Sequence, residues 1–344
     1  MTEPLLRVEE LKTHFASELG TIKAVDGVSF DIPRGGVLGM VGESGSGKSV
    51  TGLSILRLLG SRNARIAGGR ILFRGEDLLQ KSEAEMRAIR GGSISMVFQN
   101  AMTSLDPFFR VGDQLVEVIR LHQGLSKKEA REKALHALEL VHIPDPVAKL
   151  RSYPHQLSGG QRQRVVIALA LACEPDLLIA DEPTTALDAT VQKQIIELLM
   201  EINQELGTAI LMVTHDMGVV AHMCRTVAVM YAGRIVEHGD VADVLRAPQH
   251  PYTRGLMASV PRLRTEAAGP GHVRQRLYQI GGSAPLPLRL SEGCAFSPRC
   301  PEVGPECWEV DPPTVASGPG QEAVCHRRAE EQAAAMEVAH RVGA

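Results

Sequence analysis

Gly42-Glu43-Ser44-Gly45-Ser46-Gly47-Lys48-Ser49 is the stretch of sequence that decides the fold. It fits the pattern G-x-x-x-x-G-K-[ST] and lies between an apolar run at Val37–Val41, typical of a buried strand, and a run at Val50–Leu59 with helical spacing. Successive backbone N–H groups at a helix N-terminus favour an anionic phosphate, and glycines let the main chain pass close to it. We therefore expect these eight residues to bind a nucleotide, with Lys48 supplying charge and Ser49 ligating Mg²⁺.

Two further apolar runs end in polar residues that suit chemistry on a phosphate. Leu177–Ala180 leads into Asp181-Glu182, and Ala209–Val213 leads into Thr214-His215. Asp188 can cap a helix between these two predicted strands, because apolar residues after it recur at helical spacing. Strands that alternate with helices indicate an α/β fold, in which helices cover both faces of a parallel sheet.

A mostly helical insertion is expected between the Gly-rich loop and Asp181, because the separation exceeds one strand–helix–strand crossover. We place this helical subdomain at about residues 100–174. Within it, Ser126 and Glu129 form a capping-box pattern ahead of a helix with an apolar face, which the prolines at 144 and 146 are expected to end.

The last part of the chain has a different composition. More than half of the 20 prolines follow residue 245, which indicates a small irregular accessory domain at 246–344 after a first domain at 1–245. Four of the six cysteines also fall there, namely Cys294, Cys300, Cys307 and Cys325. Four thiolates could hold Zn²⁺ or an iron–sulfur cluster, although the spacing fits neither a zinc finger nor a common ferredoxin motif. Ordinary thiols are the third interpretation.

Composition excludes several classes of protein. The chain has 344 residues, a net charge of −3 and 44% hydrophobic residues, which are values close to globular averages. A near-neutral balance gives no general electrostatic reason to bind nucleic acid. The longest apolar run, Val165–Cys173, is about half the length of a bilayer-spanning helix, and the N-terminus lacks a signal-peptide pattern. We expect a protein of the cytosol without a membrane span.

Leu157-Ser158-Gly159-Gly160-Gln161 puts two glycines at the start of a strongly helical run. This arrangement suits a second phosphate-binding loop, and it equally suits a flexible turn in which Ser158 caps a helix. The pair Asp181-Glu182 also has two interpretations. Beside a magnesium site, Asp181 can ligate the metal and Glu182 can orient the water that attacks a γ-phosphate. In isolation, such a pair more often caps a helix or lies in a solvated loop.

In their order along the chain, these motifs resemble those of the ATP-binding subunits of ABC transporters. The matching set is the Gly-rich loop (the Walker A motif), Gln99 after an apolar run, the signature Leu157–Gln161, Asp181-Glu182, the segment 186–188 and His215. The resemblance covers about residues 5–245. It implies ATP and Mg²⁺ as ligands, ATP hydrolysis, and a P-loop core with an N-terminal antiparallel β subdomain.

The resemblance also implies roles for individual residues. Phe15 would stack on adenine, although an aromatic residue there also suits the core. Gln99 would sense Mg²⁺ and the membrane partner, His215 would contact the γ-phosphate, and Asp188 would belong to the D-loop. In this family two subunits meet head to tail, so Ser158–Gln161 would complete the ATP site of the partner subunit.

Three stretches and the C-terminal cysteines resemble the dipeptide and oligopeptide permease branch, in particular its D-type subunits. The stretches are Ala24-Val25-Asp26-Gly27-Val28-Ser29-Phe30, Ser104-Leu105-Asp106-Pro107-Phe108 and His250-Pro251-Tyr252-Thr253. The resemblance implies a peptide importer at the cytoplasmic face of the inner membrane, with a second ATP-binding subunit, two transmembrane permease subunits and an extracytoplasmic substrate-binding protein. Some relatives with this cysteine pattern are thought to carry a 4Fe-4S cluster, which favours iron over zinc.

Other functions remain open from the sequence. Relatives in the same branch import nickel, glutathione or other small solutes, and no residue separates them from peptide importers. A soluble ABC ATPase of DNA repair or translation is a rival from another class, although no second cassette, coiled-coil arm or basic linker is visible. An exporter ATPase is disfavoured because exporters more often fuse the cassette to membrane helices.

Overall fold

An antiparallel sheet and a larger central sheet form the framework of the protein in a computed structural model. The structure describes residues 3–185, 187–260, 278–283, 285, 288, 292–318 and 320–342. The antiparallel sheet contains β1 (Leu6–Ser17), β2 (Gly20–Ile32), β4 (Ala64–Phe73) and β5 (Glu76–Asp77), in the order β2-β1-β4-β5. This sheet is the N-terminal antiparallel subdomain that the family resemblance implied.

The central sheet has eight strands within the described residues, in the order β11-β12-β10-β9-β3-β8-β7-β6. They are β3 (Val37–Val41), β6 (Ile94–Val97), β7 (Leu177–Asp181), β8 (Ala209–Thr214), β9 (Thr226–Tyr231), β10 (Arg234–Asp240), β11 (Thr314–Gly318) and β12 (Gln321–Val324). Strands β9, β3, β8, β7 and β6 run parallel, whereas β10, β12 and β11 extend the sheet with antiparallel pairs. The predicted α/β fold is confirmed.

Helices connect these strands and form the insertion. The helices up to β7 are α1 (Lys48–Ile55), α2 (Glu83–Ile89), α3 (Ala101–Ser104), α4 (Val111–Gln123), α5 (Lys127–Leu140), α6 (Pro146–Lys149) and α7 (Gly159–Leu171). Those after it are α8 (Ala189–Leu206), α9 (Met217–Met223), α10 (Val241–Arg246), α11 (Pro251–Ala258), α12 (Glu306–Glu309) and α13 (His326–Val342). Helices α3 to α7 lie between β6 and β7, where the helical subdomain was predicted.

Several local predictions can be compared with these bounds. The helix after the Gly-rich loop begins at Lys48 rather than Val50, and it ends before Leu59 because Arg57 adopts a positive φ of 53°. The Ser126 capping box is present, but α5 ends at Leu140, ahead of the prolines. Pro146 instead occupies the first turn of α6, where its fixed φ suits a helix start.

The two faces of the central sheet pack against different layers. On β7, Leu178 and Ala180 join the core formed with helices α4, α5, α7 and α8. Leu177 and Ile179 join a second core that includes α1 and the antiparallel sheet. Burial on both sides explains why these strands are continuous apolar runs in the sequence.

The C-terminal region is more regular than its proline content predicted. Strands β11 and β12 form a hairpin, and Glu237 on β10 pairs with Ala323 on β12. Backbone hydrogen bonds therefore add this region to the central sheet. Among the described helices, none is long and apolar enough to cross a membrane.

Candidate nucleotide site

Polar side chains converge at the carboxyl edge of the central sheet. The Gly-rich loop follows β3, the pair Asp181-Glu182 ends β7, His215 follows β8, and Gln99 lies two residues after β6. These four strands are neighbours in the parallel part of the sheet. Their carboxyl ends meet at one edge, which is where open α/β sheets bind ligands.

Two glycines of the Walker A loop are required by its geometry. Gly47 has a φ of 106°, and a Cβ atom there would lie 2.3 Å from the carbonyl oxygen of Ala24. A Cβ atom at Gly42 would lie 2.1 Å from the carbonyl oxygen of Met230. Both distances are too short for any side chain. The loop therefore packs closely against the main chain of two neighbouring segments, whereas its contact with a phosphate stays a prediction.

Lys48 is buried at the base of this loop, with 4% of its surface exposed. Its Nζ atom donates to the carbonyl oxygens of Gly42 at 2.8 Å and Glu43 at 2.9 Å. Burial lowers the pKa of Lys48, and the charges of Glu182 and Asp181 oppose that shift. A buried ammonium group beside the loop is suited to binding a phosphate oxygen.

Ser49 and Asp181 meet as two ligands of one divalent cation would. The Ser49 hydroxyl donates to Oδ1 of Asp181 at 2.8 Å. Asp181 is 5% exposed, and burial raises its pKa, while the hydrogen bond from Ser49 and the charge of Lys48 act in the opposite direction. A hydroxyl and a carboxylate supply the oxygen ligands that Mg²⁺ requires.

Glu182 joins three of the converging strand ends. Its Oε2 atom accepts hydrogen bonds from Gln99 Nε2 and Thr185 Oγ1, both at 2.9 Å, and His215 Nδ1 lies 3.2 Å from its Oε1. Burial pushes the pKa of Glu182 upward, but the hydrogen bonds from Thr185 and His215 help to bring it below its ordinary value. A carboxylate held ionised at this edge can orient a water molecule or accept its proton.

Glu182 also has unusual backbone geometry. Its φ of 47° lies in the left-handed region, which costs free energy for a residue with a side chain. Its backbone N–H donates to Val213 on β8 at 2.8 Å, which fixes the main chain there. Thr185 is a site residue that the sequence interpretation missed, since a lone threonine carries no distinctive pattern.

The signature segment begins helix α7. Ser158 caps the helix, because its hydroxyl accepts the Gln161 N–H at 3.3 Å while the Gln161 side chain accepts the Ser158 N–H at 3.2 Å. The predicted Ser cap is therefore present, and the role in a partner's ATP site stays a prediction. Gly160 lies against α8, since a Cβ atom there would be 2.8 Å from Val191. Asp188 caps α8 by accepting two backbone N–H groups.

Phe15 lies within β1 and is partly exposed, opposite Ile22 on β2 and Ala64 on β4. Partial exposure leaves ring surface accessible for stacking on a base. The role of Phe15 in adenine binding remains a prediction.

All six cysteines lie in the described part of the chain, and none forms a disulfide. Burial raises the pKa of Cys294 and Cys325, and it raises the pKa of Cys300 to about 11. Among the described residues, no three His, Cys, Asp or Glu side chains are placed to hold a metal ion. The geometry of the described residues therefore does not support the predicted iron–sulfur or zinc centre, and no step of the chemistry is derived through it.

Two residues of the C-terminal region contact the Walker A loop, and the sequence interpretation missed both contacts. The Tyr252 hydroxyl accepts the Glu43 N–H, and Arg299 binds the Glu43 carboxylate. Tyr252 belongs to the stretch His250–Thr253, which was noted only as a mark of the branch.

Comparison with known protein families identifies two regions. Residues 25–185 match the family described as ABC transporter, and residues 236–307 match the family described as oligopeptide/dipeptide transporter, C-terminal region. Among solved structures, the ABC transporter cassette MJ0796, solved as a dimer, is 28% identical, with a TM-score of 0.61 over 69% of this chain and 98% of the cassette. The cbiO1 protein of Clostridium perfringens is 32% identical, with a TM-score of 0.61 over 72% of this chain and 92% of its own.

Named relatives match almost the whole chain. A probable peptide ABC transporter ATP-binding protein of Sinorhizobium fredii is 49% identical over 95% of this chain and 96% of its own length. The dipeptide transport ATP-binding protein DppD of Bacillus subtilis is 50% identical over 90% of both chains. The oligopeptide transport ATP-binding protein OppD of Salmonella typhimurium is 48% identical over 95% of both. With its nucleotide site assembled at one sheet edge, the chain thus belongs to the ABC transporter ATP-binding proteins, in the dipeptide/oligopeptide permease family.

Proposed function

We propose that this protein is the ATP-hydrolysing subunit of an ABC importer for di- or oligopeptides. One observation carries the hydrolytic part of the proposal, namely the arrangement of Lys48, Ser49, Asp181, Glu182 and Gln99 at a single sheet edge. The family, whose members hydrolyse ATP, agrees with this chemistry. The peptide cargo is supported by the names of the relatives and by the C-terminal family match.

The residues of the proposed ATP site have different roles in phosphoryl transfer. The loop at 42–49 and Lys48 bind the phosphates, while Ser49, Asp181 and Gln99 are the residues that would hold Mg²⁺. Bound Mg²⁺ supplies positive charge against the charge that develops on the β- and γ-phosphate oxygens. Glu182 orients the attacking water and accepts its proton, and His215 lies close enough to Glu182 to contact the same γ-phosphate.

Hydrolysis in this proposal requires two subunits. Ser158, Gly159, Gly160 and Gln161 begin helix α7, and their capping hydrogen bonds lie within that helix. The exposed helix start is free to bind the γ-phosphate held by a partner subunit. The solved cassette MJ0796 is a dimer, and one of its structures contains ADP and Pi, which supports this arrangement. Asp188, which caps helix α8, is the D-loop residue in this proposal.

A groove next to Gln99 supports a membrane partner. It has a volume of about 820 Å³ and lies between the core and the helical subdomain, with Phe98 and Gln99 in its lining. Phe98, which lines the groove, is 42% exposed. An exposed aromatic residue in an apolar groove suits contact with a protein partner. We propose that the permease subunits dock here, with Gln99 connecting the dock to Glu182, and that the protein is peripheral at the cytoplasmic face of the inner membrane.

Two finer proposals concern the organisation of the chain. We propose a domain at 1–245, which contains the helical subdomain at about 100–174, and an accessory domain at 246–344. We also propose a 4Fe-4S cluster, or Zn²⁺, at the four cysteines. Its support is the spacing of Cys294, Cys300, Cys307 and Cys325 in the sequence, which resembles that of relatives thought to carry a cluster.

The test is reconstitution of the whole transporter in lipid vesicles. We expect the protein to co-purify with two hydrophobic subunits and a second ATP-binding subunit, and to drive ATP-dependent uptake of labelled di- or oligopeptides presented by the binding protein. Uptake of nickel or glutathione instead would replace the peptide assignment. A protein that purifies alone, away from the membrane fraction, would support the soluble ATPase.

A further inference from the structure

Two residues of the C-terminal region hydrogen-bond to Glu43 of the Walker A loop. The phenolic oxygen of Tyr252 accepts the backbone N–H of Glu43 at 2.9 Å. Arg299 binds the Glu43 carboxylate through both of its terminal nitrogens, at 2.8 and 3.0 Å. These partners lie 209 and 256 positions later in the chain. Glu43 therefore has both its backbone and its side chain fixed by the accessory region.

Tyr252 and Arg299 are both held in place by their own neighbours. Tyr252 is fully buried, and its ring centroid lies 4.7 Å from that of Tyr231 and 5.5 Å from that of Phe296. The Arg299 side chain is 5% exposed and also donates from Nε to the carbonyl oxygen of Gly281 at 2.8 Å. Side chains held in this way lose little further entropy when they hold a third residue.

Glu237 accepts hydrogen bonds that fix the segment leading into Tyr252. Its buried carboxylate accepts the backbone N–H groups of Gln249 and His250, each at 2.8 Å, and the side-chain amide of Gln321 at 3.0 Å. His250 in turn accepts the Tyr252 N–H at 3.1 Å. Since Gln321 belongs to the C-terminal hairpin, Glu237 connects that hairpin with the segment His250–Tyr252, which contacts the Walker A loop.

Glu43 connects Tyr252 and Arg299 to Lys48, the lysine of the Walker A loop. Lys48 Nζ donates to the Glu43 carbonyl oxygen at 2.9 Å, so a shift of Glu43 moves an acceptor of the lysine. Position 43 is unspecified in the Walker A pattern, so phosphate binding itself does not require a glutamate there. We infer that Arg299 and Tyr252 are positioning residues of the ATP site, which hold Glu43 and, through it, Lys48 in the arrangement that binds phosphate. Affinity for Mg-ATP then depends on the accessory region, an inference that rests on the ATP site proposed above.

The experiment measures equilibrium binding of Mg-ATP to the full-length chain, together with its melting temperature. The variants are Arg299→Met, Glu43→Gln, the double variant and Tyr252→Phe. Arg254→Met is the matched control, because Arg254 pairs with Glu302 inside the accessory region and does not touch the loop. We expect Arg299→Met and Glu43→Gln each to weaken binding about ten-fold, and Tyr252→Phe about three-fold, as for a charge-assisted bidentate pair and a neutral hydrogen bond.

The double variant separates positioning from a general structural effect. If Arg299 acts through Glu43, the double variant binds Mg-ATP about as weakly as either single variant, because the second change removes a contact already lost. Fully additive losses would overturn the inference, as would binding within about two-fold of wild type in both single variants. Glu43→Gln preserves the size of a partly exposed side chain, so it keeps the test valid even if Arg299→Met unfolds the protein.

Lys48→Ala distinguishes failure of this inference from failure of the proposed ATP site. If the wild type and Lys48→Ala bind Mg-ATP equally, the site itself is wrong, and the positioning role falls with it. If Lys48→Ala abolishes binding while the Arg299, Glu43 and Tyr252 variants bind normally, the ATP site stands and only the positioning role is refuted.

Discussion

The buried imidazole of His250 makes the stability of this protein depend on pH. Its side chain is 1% exposed, its Nδ1 atom accepts the Tyr252 N–H, and its ring lies 5.7 Å from that of Phe296. Burial lowers the pKa of His250 from 6.5 to about 3, and the positive charges of Arg254 and Arg328 act in the same direction. The folded protein therefore keeps this histidine neutral.

The sign and size of the effect follow from proton linkage. Between pH 6.5 and 3 the unfolded chain binds one proton more than the folded chain at this position, so the free energy of unfolding falls as the pH falls. For these two pKa values, the contribution between pH 7 and pH 5 is a loss of about 2 kcal/mol. Groups other than His250 add their own terms, so the measurement must isolate this residue.

The measurement compares His250→Asn with the wild type in urea unfolding at pH 7 and pH 5. Asparagine retains an acceptor for the Tyr252 N–H and removes the titration, and it is a favoured residue at a helix N-cap. We expect the variant to lose about 2 kcal/mol less than the wild type between the two pH values. The matched control is His136→Asn, at an exposed position, which should keep the wild-type pH dependence. An equal pH-dependent loss in His250→Asn and the wild type would refute the reasoning.

Three further predictions address the ATP site and the cysteines. Glu182→Gln should retain ATP binding but lower kcat in the complete transporter at least about 100-fold, because the base is lost, and hydrolysis at the wild-type rate would remove Glu182 from this role. Gly47→Ala should abolish Mg-ATP binding, because its Cβ atom would lie 2.3 Å from a carbonyl oxygen, and unchanged affinity in the variant would contradict the loop geometry. Iron, sulfide and zinc analysis of anaerobically purified protein should find about four iron and four sulfide per chain if the cluster proposal holds. One zinc would indicate a structural metal, and the absence of both metals would leave four thiols.

Local patterns predicted the elements that carry the ATP site. The apolar runs at Val37–Val41 and Leu177–Ala180 lie in buried strands, because strands buried on both faces are rich in apolar residues. Asp188 caps its helix as expected, since capping depends on neighbours within three positions. Helix ends were less predictable. Helix α5 ends at Leu140 rather than at the prolines. His142, two residues later, has a φ of 52°, which is incompatible with a continuing right-handed helix.

Contacts between distant segments could not be predicted in the same way. Thr185 hydrogen-bonds to Glu182 through an ordinary threonine side chain, and the pairing of β10 with β12 leaves no periodic pattern that identifies the partner strand. The placement of the four cysteines likewise depends on how their segments fold, because spacing alone does not bring sulfur atoms within reach of one metal.

The sequence by itself determined the phosphate-binding loop, the parallel strands and the carboxylates at their ends. Each of these depends on residues close together in the chain, and the glycines and apolar runs are required by backbone geometry and burial. Only the tertiary structure decided that Arg299 and Tyr252 hold Glu43, or that a C-terminal hairpin extends the central sheet. The physical reason is that a hydrogen bond between residues 256 positions apart depends on the packing of the whole fold, which no local spacing records.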